Sequence, residues 1–261
     1  MQDTANTAVP QSLVNVVIPL YRSEISPYER IALQQCGKVL GHYPITLIAP
    51  DGLDLDGIQT ILPEAQAVRL PQKHFAGIQA YNRLVLSEEF YERFADHAYM
   101  LIYQLDAFVF HDELTQWCER GYDYVGAPWP RGDKVYPLTF RGVERLQGLI
   151  PFWNKPVYHY VGNGGFSLRK IASCLDMLRR SEGRARHWPY HEDIFWPHMA
   201  SLFPSDYVIP APEIARHFAI EREPSTVYAA MGQQLPFGCH AWYKYETEFW
   251  FPIIRSFGYD L

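Results

Sequence analysis

The sequence has few cysteines and no long apolar run, and each absence excludes a class of protein. The cysteines, Cys36, Cys118, Cys174 and Cys239, lie far apart without a C-x-x-C pair. A cysteine-based zinc site is therefore not expected, and the thiols are typical of buried side chains in a reducing compartment. No apolar run reaches the roughly 20 residues that span a bilayer. The polar first residues lack a signal-peptide pattern, so we expect a cytoplasmic protein, with peripheral membrane association left open.

The sequence also lacks an excess of basic residues. It contains 23 Lys and Arg residues against 29 Asp and Glu residues, a net charge of -6, and no basic cluster. Proteins that bind nucleic acids normally carry a positive surface, so no nucleic-acid partner is expected, whereas a small anionic ligand is compatible. A chain of 261 residues, 48% of them hydrophobic, predicts one domain over residues 1–261, with residues 1–12 as a flexible extension.

The N-terminal part reads as a strand, a helix and a second strand. Val14–Leu20 is rich in β-branched residues and predicts a buried strand. Ser26, Pro27 and Glu29 form the pattern of a capped helix start, and Gly41 predicts the helix end. Tyr43–Ala49 predicts the next strand. This order is typical of a βαβ unit.

The rest of the chain continues the alternation of strands and helices. Gly77–Phe94 has a helical pattern with a possible break at Ser87, and Tyr99–Phe110 predicts one long strand. Tyr158–Val161 predicts a strand that leads through a glycine turn into a helix. We therefore expect an α/β fold with an open, mostly parallel sheet. The stretch Pro128–Val157 is predicted to be a long loop, and such loops tend to be functional.

Two segments have the composition of a ligand site near strand ends. Gln104-Leu105-Asp106 places a carboxylate in an apolar strand, where it either holds a divalent cation or bonds to backbone amides. Asn163-Gly164-Gly165 follows a strand, and its glycines let the backbone approach a ligand closely, although a plain tight turn is an equal alternative. Neither segment matches a Walker loop or G-x-G-x-x-G.

Two further segments add an acid pair and a histidine. Glu192 and Asp193 stand at a predicted helix start, where acids are favoured by the helix dipole, and one of them could serve as a general base. Neighbours on a helix point about 100° apart, so only one should face a site. His240 lies in a loop among aromatic residues. A lone histidine is more often structural, but imidazole and carboxylate together suit manganese-like ions.

The order of these four segments resembles the GT-A glycosyltransferases, particularly the fringe and core-1 galactosyltransferase group. Those enzymes have an Asp-x-Asp at a strand end, a Gly-Gly-x-Gly segment, a Glu-Asp-Val segment and a C-terminal metal-binding histidine. Five segments are still more similar to a bacterial and fungal family of glycosyltransferase-like proteins of unknown function: Tyr103–Phe110, Gly126–Trp129, Val161–Arg169, Glu192–Trp196 and Pro236–Trp242. That likeness runs from about Val14 to Trp242.

The resemblance implies a GT-A fold, that is, a Rossmann-like open mixed sheet flanked by helices, and a role for each matching residue. Asp106 and His240 would bind Mn²⁺ or Mg²⁺, and Gln104 takes the place of the first acid of Asp-x-Asp, which weakens the case for a metal. Asp193 would be the catalytic base, with Glu192 as runner-up. The implied donor-binding residues are Pro19, Tyr21, Arg22, Asn82, Arg83, Gln104 and Asp106. The implied walls for acceptor and sugar are Trp129, Asn163, Gly164 and Gly165.

The implied activity is that of a hexosyltransferase. It would transfer a sugar, with inversion, from a nucleotide-sugar donor, with UDP favoured, to a glycan or glycolipid acceptor in polysaccharide or glycolipid assembly. Two alternatives stay open. One is a non-catalytic protein that binds carbohydrate or nucleotide, which the glutamine at 104 favours slightly. The other is a metal-dependent phosphoester hydrolase or nucleotidyltransferase, which would need more metal ligands than the sequence offers.

Overall fold

A central sheet of six strands organises the protein, whose computed structural model describes residues 12–136 and 155–261. The strands are β1 Ser12–Pro19, β2 Ile45–Pro50, β3 Gln66–Leu70, β4 His97–Tyr103, β5 Ala107–Val109, β6 Tyr124–Val125, β7 Pro128–Val135, β8 Val157–Val161, β9 Phe166–Lys170, β10 Ala219–Ile220 and β11 Gly238–His240. The helices are α1 Pro27–Leu40, α2 Asp56–Gln59, α3 Ile78–Val85, α4 Glu88–Glu92, α5 Leu114–Glu119, α6 Ile171–Arg180, α7 Glu182–Arg186, α8 Glu192–Leu202, α9 Pro212–Phe218, α10 Pro224–Ala230 and α11 Thr247–Ser256. These elements confirm the predicted α/β class.

The central sheet has the order β3-β2-β1-β4-β9-β6. Strands β1 to β4 are mutually parallel, and β9 runs antiparallel to both β4 and β6. The chain proceeds outward from β1 to β3 on one side and then returns to place β4 on the other side. In open α/β sheets, ligands bind beyond the carboxyl ends of the strands where the strand order reverses in this way. The topology therefore directs attention to the ends of β1 and β4.

The first βαβ unit follows the sequence prediction closely. Ser26 accepts a hydrogen bond from the backbone N–H of Glu29, and the Glu29 side chain accepts one from the N–H of Ser26. This reciprocal capping satisfies two backbone donors that the helix itself leaves free. Helix α1 then runs to Leu40, and Gly41 follows it as the cap.

Helices cover both faces of the sheet because neighbouring strand residues point to opposite sides. Val16 on β1 packs with α1 residues in one apolar cluster. Val17 on β1 packs with residues of α3, α4, α6 and α8 in the other. A strand buried on both faces is mostly apolar, which explains the consecutive apolar residues Val16, Val17 and Ile18 of β1.

The predicted strand Tyr99–Phe110 is in fact two strands. Strand β4 ends at Tyr103, a turn covers Gln104 to Asp106, and β5 then joins a second sheet with β11 and β10. The N–H of Gln104 still donates to the carbonyl of Gly165, at 2.8 Å. The N–H of Ala107 then donates to the carbonyl of Gln104, which closes the turn. Because both strands are buried, the sequence is apolar on both sides of the turn and did not indicate where the first strand ends.

A helix follows the glycine turn as predicted, but not directly, so the predicted start of that helix was wrong. Gly164 and Gly165 lead into β9, and α6 begins only at Ile171. Short apolar runs fit a buried strand as well as a helix, so periodicity did not separate the two.

The predicted loop Pro128–Val157 begins as β7 and ends as β8, and the two strands pair antiparallel. Residues 137–154 within it, and the predicted flexible segment up to residue 11, lie outside the described residues. Within the described ranges, no helix is both long enough and apolar enough to cross a membrane.

Candidate active site

A cleft of about 510 Å³ opens beyond the carboxyl ends of β1 and β4. Its volume lies in the usual range for small-molecule sites. The cleft is lined by Tyr21, Phe75, Gly77, Ile78, Tyr81, Asn82, Gln104, Asn163, Gly164, Gly165, His191, Glu192, Asp193, Glu221, His240 and Lys244. All four segments singled out in the sequence therefore meet at the place that the sheet topology indicates. A larger cavity of about 890 Å³ lies elsewhere, next to the end of α1 and the start of β2.

A chain of charged groups forms one wall of the cleft. His240 Nε2 is 3.0 Å from Asp106 Oδ1, and His240 Nδ1 is 3.0 Å from Glu221 Oε1. Lys244 Nζ donates to the other oxygen of Asp106, at 2.5 Å. The side chains of Asp106, Glu221 and His240 are largely buried, whereas Lys244 remains about half exposed. Two anions and two cations thus alternate along this wall.

The pKa values in this wall follow from the pairing. Burial alone would lower the pKa of His240, but the carboxylates of Asp106 and Glu221 outweigh it and raise that pKa to about 10. Burial acts to raise the pKa of Asp106, yet His240 and Lys244 hold it well below its usual range. His240 is therefore an imidazolium at neutral pH, and Asp106 is a carboxylate.

The glycine turn forms the floor of the cleft. Asn163 adopts a left-handed backbone with φ of 70°, and its Oδ1 accepts the N–H of Gly165 at 3.0 Å. A β-carbon on Gly164 would lie 1.9 Å from Glu192 Oε1, and one on Gly165 would lie 2.0 Å from His240 Nε2. Both glycines are required because the functional side chains pack directly on the backbone here.

Glu192 is fixed beneath the cleft by a buried arginine. Its Oε1 accepts from Arg169 at 2.8 Å, and its Oε2 accepts from the indole N–H of Trp196 at 3.1 Å. The Arg169 side chain is fully buried and also donates to the hydroxyl of Tyr91. Both oxygens of Glu192 are therefore already bonded to side chains of the protein, so neither is free to bond to a substrate hydroxyl.

Asp193 is partly buried, and only one of its oxygens is bonded. Its Oδ2 accepts the N–H of Gly164 at 3.3 Å, and its Oδ1 has no hydrogen-bond partner among the described residues. Burial, together with the nearby charges of Glu192 and Glu221, raises its pKa to about 7. An acid with these properties on a cleft wall is a candidate general base, since the best catalytic pKa lies near the working pH.

The predicted donor-binding residues divide into two groups. Tyr21, Asn82 and Gln104 line the cleft, and Tyr21 packs edge-on against Phe75 and Tyr81.

Four other predicted residues are not among those that line the cleft. Asp106 is buried in the charged wall described above. Pro19 is buried at the end of β1. Arg22 is directed to Glu29, with its guanidinium 2.8 Å from the carboxylate. Arg83 lines a separate cavity of about 230 Å³ beside α4 and α6.

Trp129, predicted as a sugar platform, is buried behind the cleft instead. It is 2% exposed, so its ring faces are closed to a ligand. Its indole N–H donates to Glu221 Oε2 at 3.2 Å. The tryptophan therefore holds the carboxylate that in turn holds His240.

Replacing Gly162 by alanine should disturb this support. The new β-carbon would lie 1.8 Å from the ring of Trp129, so the indole must move. We expect a loss of about 1–3 kcal/mol in the free energy of unfolding, the usual effect of overpacking. The measurement is urea unfolding of the variant beside Gly57→Ala, where a β-carbon meets nothing within 4 Å. Equal midpoints for the two variants would contradict the packing described.

The predicted Mn²⁺ or Mg²⁺ finds a poor set of ligands in this wall. Within the described part of the chain, no group of three or more His, Cys, Asp or Glu side chains is arranged to hold an ion. Asp106 and Glu221 lie on opposite nitrogens of His240, so an ion on either nitrogen meets only one of them. Even with waters and substrate phosphates completing its shell, an ion beside Nε2 of His240 would compete with Lys244 for Asp106, the carboxylate on that side.

Sequence reasoning missed several cleft residues, chiefly Tyr81, Glu221 and Lys244. Lys244 follows His240 by four positions and Glu221 follows β10 directly, but charged residues of this kind are common on solvated surfaces. Only the fold shows that Glu221 bonds to His240 and that Lys244 bonds to Asp106. The buried Arg169 carried no signal either, although an arginine inside an apolar strand is unusual.

Comparison with solved structures identifies the fold. The structure of mouse xyloside xylosyltransferase 1 aligns with a TM-score of 0.52 and 11% identity, over 88% of this chain and 97% of that one. The galactosyltransferase LgtC, in complex with donor and acceptor sugar analogues, aligns with a TM-score of 0.51 and 12% identity, over 87% and 86%. The fold is thus that of the GT-A glycosyltransferases.

The glycosyltransferase GlyE of Streptococcus pneumoniae aligns with a TM-score of 0.49 and 13% identity, over 88% of this chain, which spans about half (54%) of the GlyE chain. No curated protein matches the sequence. The model of one protein family, described as protein of unknown function (DUF5672), matches residues 64–240. That match covers more than half of the chain, so the chain belongs to the DUF5672 family.

Proposed function

We propose that the protein is a glycosyltransferase that moves a sugar from a nucleoside diphosphate sugar to a hydroxyl group of a glycan or glycolipid. UDP is the favoured donor nucleotide, and polysaccharide or glycolipid assembly is the favoured setting. The observation that carries this proposal is the pairing of two features in one cleft. Asp193 offers an unbonded, buried carboxylate oxygen, and Lys244 offers an ammonium in the same cleft. Transfer from a diphosphate needs these two functions, a base and a positive charge on the leaving group.

The shape of the cleft supports this assignment of its parts. Phe75, Ile78 and Tyr81 form an aromatic and aliphatic side, which suits a nucleobase. Asn163 has an unbonded, buried side-chain nitrogen, a donor for a sugar hydroxyl. The names of the two solved relatives in the preceding section, a galactosyltransferase and a xylosyltransferase, agree with a sugar donor. At 11–12% identity they support the fold alone.

The reaction proposed is a single displacement. The acceptor oxygen forms a bond to the anomeric carbon as its proton passes to a carboxylate oxygen of Asp193. The bond from that carbon to the diphosphate oxygen breaks, and its electron pair leaves with the nucleoside diphosphate. Attack from the side opposite to the leaving group inverts the configuration, as in hydrolysis by inverting glycosidases. Inversion is a part of the proposal that depends on Asp193 facing the anomeric carbon.

The pH dependence of turnover follows from the environment of Asp193. The base acts only when it is deprotonated, and burial raises its pKa to about 7. We expect kcat/KM to rise with pH up to about 7 and to level off above it, because kcat/KM reports on groups of the free enzyme. A profile of donor turnover between pH 5 and 9 tests this expectation. A flat profile across that range would exclude Asp193 as the base.

The direct test of function is the release of nucleoside diphosphate from a panel of sugar nucleotides, with and without candidate acceptors. We expect one donor to be turned over faster when an acceptor is added. Binding of a donor with no release under any condition would instead support a non-catalytic binding protein. Cleavage of phosphate esters without dependence on an acceptor would support a hydrolase.

A further inference from the structure

The wall that the fold would reserve for a metal ion already carries positive groups of the chain itself. Lys244 Nζ lies 2.5 Å from Asp106 Oδ2, and His240 Nε2 lies 3.0 Å from Asp106 Oδ1. Both oxygens of Asp106, the acid that the resemblance assigns to the metal, therefore already contact side chains of the protein, His240 and Lys244. The ammonium stands at the open side of the cleft, where its side chain is 56% exposed.

The surroundings of His240 leave little room for an ion and its ligands. The imidazole packs on the backbone of Gly165 so closely that a β-carbon there would reach 2.0 Å from Nε2. Each ring nitrogen faces a carboxylate oxygen at 3.0 Å, Asp106 on Nε2 and Glu221 on Nδ1. The two carboxylates therefore lie on opposite edges of the ring and do not converge on one point where an ion could sit.

The neutral residue at 104 removes the remaining acid. Gln104 lines the cleft at the end of β4, where a second carboxylate would raise the affinity for a divalent cation. With glutamine there, the carboxylate of Asp106 has no second acid beside it in this turn, and Lys244 already lies against it.

We propose that Lys244, positioned by Asp106, takes the place of the divalent cation, so that the chain transfers sugar without a metal. This inference rests on the glycosyltransferase function proposed above. An ammonium carries three N–H groups, and the contact with Asp106 uses one. The others are available to the diphosphate, as a compact point charge suited to phosphate.

In the transfer step, the leaving diphosphate oxygen keeps the electron pair of the broken bond and gains one negative charge. The ammonium of Lys244 stabilises that charge through its N–H groups, and the acceptor proton ends on Asp193. No oxidant, reductant or further reactant is needed for this balance. Asp106 and His240 act as positioning residues that keep the ammonium at the open side of the cleft.

The test compares Lys244→Met and Lys244→Arg with Lys38→Met, a matched change of an exposed lysine on α1. Two quantities are measured in EDTA and again with added Mn²⁺ or Mg²⁺: the affinity for UDP by calorimetry, and the release of UDP from the donor that the panel identifies. We expect wild type to bind and turn over alike in both conditions. Lys244→Met should weaken UDP binding by about 10- to 100-fold, the range for one lost charged hydrogen bond, and Lys244→Arg should retain part of it. Lys38→Met should match wild type.

Activity that EDTA abolishes and Mn²⁺ restores would overturn the inference and leave the proposed function intact. Unchanged UDP affinity in Lys244→Met would also overturn it. Failure to bind or turn over any sugar nucleotide in either condition would instead remove the proposed function, and this inference with it.

Discussion

Replacement of Asp193 by asparagine is expected to lower turnover by about 10²- to 10⁴-fold, the usual contribution of a general base. The amide has nearly the shape of the carboxylate but cannot take up the acceptor proton. Donor binding should change little, because Asp193 lies on helix α8 and the proposed phosphate contact is made by Lys244. The measurement is release of nucleoside diphosphate at saturating donor, with the affinity for UDP determined in parallel.

Asp176→Asn is the matched control, since Asp176 is an exposed aspartate on α6 that pairs with Arg180. That variant should keep wild-type turnover. If Asp193→Asn retained wild-type turnover as well, the assignment of the base would be wrong. Glu192 would not be the next candidate, because both its oxygens are bonded to buried donors.

Asp193→Asn should also raise the free energy of unfolding at alkaline pH, relative to wild type. The folded state raises the pKa of Asp193 to about 7 from an ordinary 3.8, so it binds that proton more tightly than the unfolded chain does. This contribution is complete below the unfolded pKa and is lost as the pH rises through about 7. Asparagine does not titrate, so the variant should gain on wild type between pH 4 and 7 and keep that advantage above it. Denaturant unfolding at pH 5 and pH 8.5 measures the difference.

Replacement of Arg169 by methionine should have the largest effect on stability. Arg169 and Glu192 form an ion pair at 2.8 Å with side chains that are 0% and 4% exposed. Removing one partner of a buried pair leaves the other charge without compensation, at a cost of about 3–5 kcal/mol. Arg169 also stacks near the rings of Tyr124 and Trp196, so the loss includes packing. Urea unfolding at neutral pH is the measurement.

Two comparisons isolate the charge from the packing. In the double variant Arg169→Met with Glu192→Gln, neither member of the ion pair leaves a buried charge without its partner, so part of the lost stability should return. Arg180→Met removes an exposed arginine that pairs with Asp206, and exposed pairs contribute little. An unfolding midpoint for Arg169→Met no lower than that of Arg180→Met would show that the buried pair does not stabilise the protein.

The regular part of the fold was predictable because its signals are local. The capping residues Ser26 and Glu29, the glycine at 41 and the β-branched run of β1 each determine structure within a few neighbours. The break of the apolar run at Gln104 and the strand at Phe166 were not predictable in this way. Each depends on pairing with a strand that lies far away in the sequence. Strand β5, after the break, pairs with β11, and the strand at Phe166 pairs with β4.

The candidate site shows the same limit. Sequence order suggested that Asp106, Gly165, Asp193 and His240 belong together, and the structure brings them to one cleft. The partners that decide their chemistry came only from the fold. Arg169 holds Glu192, and no local pattern distinguishes such a residue from an ordinary charge. The sequence favoured Asp193 over Glu192 by resemblance, whereas the geometry supports the same choice through the different bonding of the two carboxylates.

Crystals of the protein soaked with UDP would test the central claim most directly, because that claim is the location of a nucleoside diphosphate in the cleft. We expect the diphosphate to lie against Lys244, with its terminal phosphate directed toward Asp193 and the base beside Phe75 and Tyr81. Diphosphate density at any other surface, with the cleft empty, would contradict it.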